Sequence, residues 1–157
     1  MNSVQKEENG KNVIYFSGVI ESEEEIISAF QSAKGTVEVN CDGIQRINSL
    51  GVRSWLSAFR KIKQLGVQVR FSHCPISIIQ QALIFPGFIE KDQLDSFYIQ
   101  FYCLNEACKK VTYKLIGTQE LLSELEKGSP PVLTCPHCGK TAEFDDEPTP
   151  YIEYLEV

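Results

Sequence analysis

One stretch, residues 37–65, constrains the fold of this chain more than any other. Its first residues alternate between valine and polar side chains, which is typical of a strand. The Asp42-Gly43 pair then signals a turn. Apolar residues recur at helical spacing from there to a glycine that ends the pattern. The stretch predicts a strand, a loop and a long helix, with Asn48 and Ser49 at the helix N-terminus.

The flanking segments continue this alternation of strands and helices. Apolar runs at 13–16 and 67–72 predict two more strands, and a shorter helical pattern lies at 76–84. Ser22 with Glu25 three residues later is a capping-box signature for a helix before residue 37. Strands alternating with helices predict an α/β fold in which helices pack on a sheet. The polar residues before the first strand are predicted to be frayed.

The stretch at 37–65 resembles the STAS domains of bacterial anti-sigma factor antagonists. Those domains carry a strand, a loop, an Asp-Ser pair with a glycine two residues on, and then a helix. Here the serine falls on Ser49, the glycine on Gly51, and the acid before the serine on Asn48. An aspartate that is usual at the strand end falls on Asn40. The resemblance covers residues 11–95 and implies a STAS-like mixed sheet over that range.

The family resemblance implies a protein–protein switch rather than an enzyme. In the family the serine is phosphorylated by a partner kinase that is also the anti-sigma factor, and phosphorylation is the off signal. The helix and the loop before it form the partner-binding surface. This implies phosphorylation at Ser49 and a partner surface made of Asn48, Ser49, Gly51, Arg46, Arg53 and Arg60. Because Asn48 is an amide, a domain that binds its partner constitutively is the alternative.

Residue chemistry alone leaves two roles open on this surface. A serine at the start of a helix commonly caps it, yet the same place accepts a phosphate group. Arg46, Arg53 and Arg60 recur every seven residues, and the last two share one side of the helix. That side is either a solvated face or a docking stripe for an acidic partner or a phosphate group.

Four cysteines in the last third of the chain form two closely spaced pairs. Cys103 and Cys108 enclose four residues, Cys135 and Cys138 enclose two, and 26 residues separate the pairs. Each pair lies in a predicted hairpin turn, and two facing turns would offer the four thiolates that Zn²⁺ prefers in a closed structural site. The second turn resembles a zinc-ribbon knuckle. We predict a small β-rich zinc ribbon over residues 96–157, with disulfide or redox use and unligated thiols as alternatives.

The remaining sulfur and imidazole groups are not expected to be ligands. His137 lies between two predicted ligands in a tight turn, and Cys₄ sites already have four donors. Cys41 and Cys74 follow strand ends and are expected to be buried as small hydrophobic residues. Elsewhere in the ribbon we predict a helix at 118–127, capped by Thr118, and a final strand from residue 151.

Charge and composition narrow the classes of function. Residues 96–157 hold 5 lysines against 10 acidic residues, the wrong sign for a phosphate backbone, so nucleic acid is not expected as a partner. The start has no apolar signal segment, and no apolar run of 18 residues exists to span a membrane. Together with the family resemblance, which implies a bacterial regulator, these features predict a cytoplasmic protein with no catalytic residues.

Two other classes of function remain as hypotheses from the sequence. One is an adaptor in which the ribbon binds nucleic acid or a transcription complex. The other is a thiol enzyme that uses Cys135 and Cys138. The sequence shows no carboxylate pair and no glycine-rich phosphate loop that would support an enzyme, and it does not predict an oligomeric state.

Overall fold

The computed structural model describes residues 1–156 and divides the chain after Asp95 into two compact units. The first unit holds a four-stranded sheet in the order β1-β2-β3-β4. Its elements are β1 (Asn2–Glu8), β2 (Lys11–Ile20), α1 (Glu23–Ala29), β3 (Thr36–Ile47), α2 (Ser49–Gln64), β4 (Gln68–Ser72) and α3 (Ile76–Ile84). β1 is antiparallel to β2, whereas β2, β3 and β4 are parallel. The prediction of an α/β fold with a mixed sheet is confirmed.

The predicted fraying of residues 1–10 is wrong, because β1 forms a hairpin with β2. Asn9 and Gly10 connect the two strands with φ of 50° and 75°. Positive φ at both central residues defines the type I′ turn, and an Asn-Gly pair is its strongest sequence signal. Every residue of β1 is exposed, so its polar sequence lacks the apolar alternation that indicates a strand. The Asn-Gly turn is the signal that predicts it.

β3 runs through the predicted turn at Asp42-Gly43. Gly43 instead pairs with Ser17 of β2, next to an irregularity in the ladder. A Cβ atom at Gly43 would lie 2.7 Å from the carbonyl oxygen of Phe16. The glycine therefore allows a close approach of two strands, which is its other common use in sheets.

The core of the first unit is built around Trp55 of α2. Its ring stacks on Phe88 at 4.9 Å between centroids and contacts Phe16 of β2 and Phe71 of β4. The indole N–H donates to the carbonyl of Phe88 at 2.8 Å, so this buried polar group is satisfied. Trp55 thereby joins α2 to two strands and to the segment after α3.

The second unit is a four-stranded antiparallel sheet with two helices. Its elements are β5 (Ser96–Cys103), β6 (Val111–Gly117), α4 (Thr118–Glu126), β7 (Val132–Thr134), β8 (Thr141–Phe144) and α5 (Pro148–Glu156). The strand order is β6-β5-β8-β7. The prediction of a β-rich C-terminal region that carries the cysteine pairs is confirmed.

Two local predictions in this unit are wrong. The end of the chain forms α5 rather than a strand, because Tyr151 is buried between Phe97 and Phe144 and its hydroxyl donates to Asp146 at 2.7 Å. Thr118 is the first residue of α4, and the residue before it occupies the N-cap position without a side-chain cap.

None of the helices within residues 1–156 combines the length and the apolar character that crossing a bilayer requires.

The start of α2 is fixed by the absence of a side chain at Gly51. A Cβ atom there would lie 2.0 Å from the carbonyl oxygen of Ile20 and 2.8 Å from the side chain of Ile47. Both neighbours belong to strands of the sheet and have little room to move. The first turn of α2 therefore rests directly on the ends of β2 and β3.

We expect Gly51→Ala to destabilise the first unit by about 2 kcal/mol or more, because overpacking against fixed backbone costs about 1–3 kcal/mol. Chemical denaturation followed by circular dichroism would measure the loss. Ser49→Ala, two residues away and exposed, is the matched control and should stay within about 0.5 kcal/mol of the unmodified chain. Equal stability of the two variants would show that α2 is not seated on Ile20.

Candidate functional site

The four cysteines of the second unit converge on one point. The sulfur atoms of Cys103 and Cys138 are 3.4 Å apart, those of Cys108 and Cys135 are 3.9 Å apart, and all four lie within 4.8 Å of one another. Tetrahedral ligation with metal–sulfur bonds of about 2.3 Å places sulfur atoms about 3.8 Å apart. The cluster is positioned to bind a metal ion.

Two turns of related construction supply these sulfur atoms. The amide of Cys103 donates to the carbonyl of Lys110, and the amide of Cys135 donates to that of Lys140, which closes each turn. In each, the residue after the second cysteine has positive φ: 49° at Lys109 and 74° at Gly139. The cysteine pairs are thus equivalent positions in two knuckles.

The wider spacing of the first pair is absorbed by an extra turn. The amides of Cys108 and Lys109 both donate to the carbonyl of Asn105, at 2.8 and 3.0 Å. The side-chain oxygen of Asn105 accepts from the amide of Ala107, which is an Asx turn. The two additional residues therefore fold within the knuckle and leave the sulfur positions unchanged.

The protein environment separates the acidities of these thiols. Backbone hydrogen bonding from Lys140, followed by the side chain of Asn105, lowers the pKa of Cys138 to about 6. Burial raises the pKa of Cys103 to about 12. A bound cation deprotonates a coordinating thiol, so the metal charge would offset the cost that burial imposes on the Cys103 thiolate.

The other cysteines and His137 do not join the cluster. His137 is exposed in the second knuckle. Cys41 and Cys74 are fully buried in the first unit, as predicted. The thiol of Cys74 donates to the carbonyl of Ser72 at 3.9 Å, and burial raises its pKa well above the usual value.

We expect Cys→Ser at Cys103, Cys108, Cys135 or Cys138 to abolish stoichiometric metal binding and to unfold much of the second unit, because ligation energy is folding energy in so small a unit. Elemental analysis of the purified chain should give about one metal ion per chain, and circular dichroism would follow the loss of structure. Cys41→Ala is the control, since it removes a buried thiol in the first unit. A metal-free chain whose four thiols react while the second unit stays folded would contradict the prediction.

A second candidate site lies at the start of α2. Asn48 is the N-cap: its side-chain oxygen accepts from the amide of Gly51 at 2.9 Å. Its side-chain amide donates to Glu21 at 3.2 Å. Asn48 therefore performs the capping, and Ser49 occupies the first helical position with an exposed side chain.

An open groove of about 490 Å³ lies beside this helix start. Asn48, Ser49 and Arg53 line it together with apolar side chains, among them Val52, Leu56 and Phe85. Leu50, which follows Ser49 in the chain, and Ile84, which precedes Phe85, are 61% and 65% exposed. The groove thus joins a hydroxyl, a guanidinium and an apolar floor.

The structure brings only some residues of the predicted partner surface together in the groove. Asn48, Ser49 and Arg53 share the groove, and Gly51 lies buried beneath the helix start. Arg46 lies on β3, and Arg60 lies two turns after Arg53 on α2; neither lines the groove.

Residue-by-residue reasoning missed two features of this site. The first is Glu21, which lies 27 residues before Asn48, so no local pattern links its carboxylate to the Asn48 amide. The apolar part of the groove that Phe85 supplies comes from the end of α3, which follows α2 at a distance in sequence. Helical periodicity describes one element at a time and contains no signal for such pairings.

Comparison with known proteins adds little to this geometry. No protein-family model matches the chain, and no curated protein sequence matches it. A solved structure described as "Crystal Structure Analysis of Mglu" shares 23% sequence identity with a TM-score of 0.38. The match covers 43% of this chain and 18% of that protein. A likeness of this size supports no inference about fold or function.

Proposed function

We propose that this chain is a non-enzymatic bacterial regulator, an anti-sigma factor antagonist of the STAS class with an appended zinc ribbon. In this proposal the surface around Ser49 binds a kinase-type anti-sigma factor. This binding frees the sigma factor that the anti-sigma factor had held. Phosphorylation of Ser49 by the same partner ends the interaction.

The observation that carries the proposal is the exposed Ser49 at the first position of α2, on the rim of a partly apolar groove. Because Asn48 caps the helix, the Ser49 hydroxyl is available for another use. The groove offers an apolar surface to a protein, and Ser49 offers that protein a place to add charge.

A phosphate group on Ser49 fits the local electrostatics. Unpaired amides and the dipole at a helix N-terminus favour negative charge, and no acidic residue occupies the first turn of α2. Arg53, four residues later, lies on the same side of the helix and lines the same groove. The phosphate would be tolerated by the fold and would change the charge that a partner meets.

The amide at position 48 has a local explanation that is compatible with this function. The side-chain amide of Asn48 donates to Glu21, whereas an aspartate would set two carboxylates against each other at that distance. The asparagine that replaces the STAS aspartate at position 48 is thus explained by its hydrogen bond to the carboxylate of Glu21. The amide does not require that phosphorylation has been lost.

We propose Zn²⁺ as the metal of the second unit, in a structural role. Four cysteine sulfurs and no open coordination position are typical of structural zinc. The same geometry disfavours a thiol enzyme based on Cys135 and Cys138, because both sulfurs belong to the four-sulfur cluster. Elemental analysis that finds stoichiometric iron in place of zinc would overturn the assignment.

We expect Ser49→Asp to weaken capture of the partner kinase from lysate of the native host, and Ser49→Ala to preserve it, because charge at the helix start mimics the phosphorylated state. Ser123→Asp on the exposed side of α4 controls for added charge elsewhere. Intact-mass spectrometry of the native protein should reveal an added phosphate that maps to Ser49. No phosphate, together with equal capture by both Ser49 variants, would leave Ser49 without a switching role.

We expect the intact protein to bind DNA no more tightly than about 100 μM at physiological salt, because residues 96–157 hold 5 lysines against 10 acidic residues. Fluorescence anisotropy with duplex and single-stranded oligonucleotides at two salt concentrations would measure this. A sub-micromolar dissociation constant at physiological salt would instead favour the adaptor in which the ribbon binds nucleic acid.

A further inference from the structure

The large exposed apolar side chains of the second unit share one face of its sheet. They are 37% to 64% exposed: Tyr102, Leu104, Val111, Tyr113, Leu115 and Val132. Tyr102 pairs with Val111, and Tyr113 and Leu115 follow at two-residue intervals on β6, so alternation places them together. Leu104 directly follows β5, and its amide donates to the carbonyl of Thr141 of β8, which continues the register that pairs Tyr102 with Glu143. Val132 joins this face through Glu143, which pairs with both Tyr102 and Val132. We call this set, with Glu143, the open face.

The open face differs from an ordinary solvated sheet face. The opposite face carries the core, where Phe97 and Phe144 pack on Tyr151 of α5. The outer face of an antiparallel sheet is usually polar. At roughly 150–250 Å² for each large side chain, the exposed apolar area is on the order of 500 Å², the size of the largest patch on a typical monomer and often a functional one.

Each of two neighbouring rows across the open face combines a tyrosine with a carboxylate. In the first, Tyr102 pairs directly with Glu143. In the second, Tyr113 pairs with Gln100, whose side-chain amide donates to Asp145 at 2.7 Å. Within residues 1–156 the carboxylate of Glu143 makes no hydrogen bond or ion pair. The first row therefore presents an aromatic ring directly beside an acid, and in the second row the ring and the acid lie on either side of Gln100.

A ring beside a carboxylate is suited to an arginine side chain. The guanidinium stacks on the aromatic face and forms paired hydrogen bonds with the acid, which a lysine ammonium cannot reproduce. Directly paired residues have Cβ atoms about 5 Å apart, so one guanidinium can reach Tyr102 and Glu143 together. The surrounding valines and leucines would cover the aliphatic part of each arginine.

We propose that the open face binds an extended polypeptide segment of a partner protein that carries two arginines separated by one residue. The rows of Tyr102 and of Gln100 are two residues apart along β5, which is about 7 Å. Arginines at alternate positions of an extended segment repeat at the same distance, so each meets one row. The excess of acidic residues over lysines in residues 96–157 complements such a segment.

The same charge disfavours two other occupants. A phosphate backbone would meet 10 acidic residues against 5 lysines. A second copy of this chain would bring two net negative units together. Both occupants are nevertheless tested below, because each would engage the same tyrosines.

The test uses the 157-residue chain, metal-loaded and labelled with ¹⁵N, which is titrated with blocked peptides in NMR experiments. The probes are acetyl-Gly-Arg-Leu-Arg-Gly-amide, its Lys-Leu-Lys counterpart, and acetyl-Gly-Arg-Arg-Leu-Gly-amide as a spacing control. We expect the Arg-Leu-Arg peptide to shift amides of β5, β6 and β8 and to bind about 5-fold more tightly than the lysine peptide. The adjacent-arginine peptide should bind more weakly than the Arg-Leu-Arg peptide.

Variants separate stacking from charge and from general hydrophobicity. Tyr102→Leu and Tyr113→Leu keep apolar bulk on the strands but should bring the two peptides within about 2-fold of each other, because the cation–π contact is lost. Glu143→Gln should weaken both peptides by about 2- to 5-fold. Leu50→Ser, at an exposed leucine of the first unit, should change neither affinity.

Four results would overturn the proposal. The first is equal binding of arginine and lysine peptides by the unmodified chain, and the second is shifts that map outside the second unit. The third is a concentration-dependent dimer in sedimentation that Tyr102→Leu abolishes, which would identify a second copy as the occupant. The fourth is displacement of the Arg-Leu-Arg peptide by oligo(dT), which would identify nucleic acid.

Discussion

The close approach of Gly51 to the carbonyl of Ile20 sets the position of everything else in the first unit's candidate site. With no side chain between helix and strand, α2 has one seat on the sheet and one rotation about its axis. Trp55, one turn later on the same side, then meets Phe16 and Phe71 in the core. Ser49 and Arg53 fall on another side, where they line the groove. The packing of Gly51 against the sheet thus determines that Ser49 and Arg53 face the groove.

The second unit is stabilised in a different way from the first. Its sheet has short strands, two of them with three and four residues, and such a sheet gains little from its own ladder. The two knuckles place four sulfurs where one cation can hold both hairpin turns. Ligation would supply the cross-link that the small core cannot. The second unit therefore does not need both faces of its sheet to be packed, and apolar side chains remain exposed on the outer face.

Sequence reasoning succeeded where the signal was local. α2 was predicted because its cap, its apolar spacing and its terminal glycine all lie within one segment, and they agree. The knuckles were predicted because cysteine spacing reflects ligand geometry directly. The same local signal, an asparagine and a glycine at 9–10, marked the first hairpin but was outweighed by the polarity of its strands.

Several other failures share a physical cause, which is that a contact outside the local segment decided the structure. Gly43 is needed for the approach of β3 to β2, and no property of the neighbouring sequence distinguishes this from a turn. The last helix depends on the packing of Tyr151 against Phe144 and Phe97, which lie about 7 and 54 residues earlier in the chain. Only folding of the sheet brings Phe97 within reach of Tyr151. Glu21 and Asn48 are a further case, since neither is informative without the other.

Trp55 is the only tryptophan of the chain, and it is fully buried in the first unit. Its fluorescence therefore reports the integrity of that unit with no contribution from a second indole. Thiolate-to-metal charge transfer after cobalt substitution would report the other unit at visible wavelengths. Two optical signals from one cuvette can thus follow the two halves of the chain separately. They would reveal whether the halves lose their structure in one transition or in two.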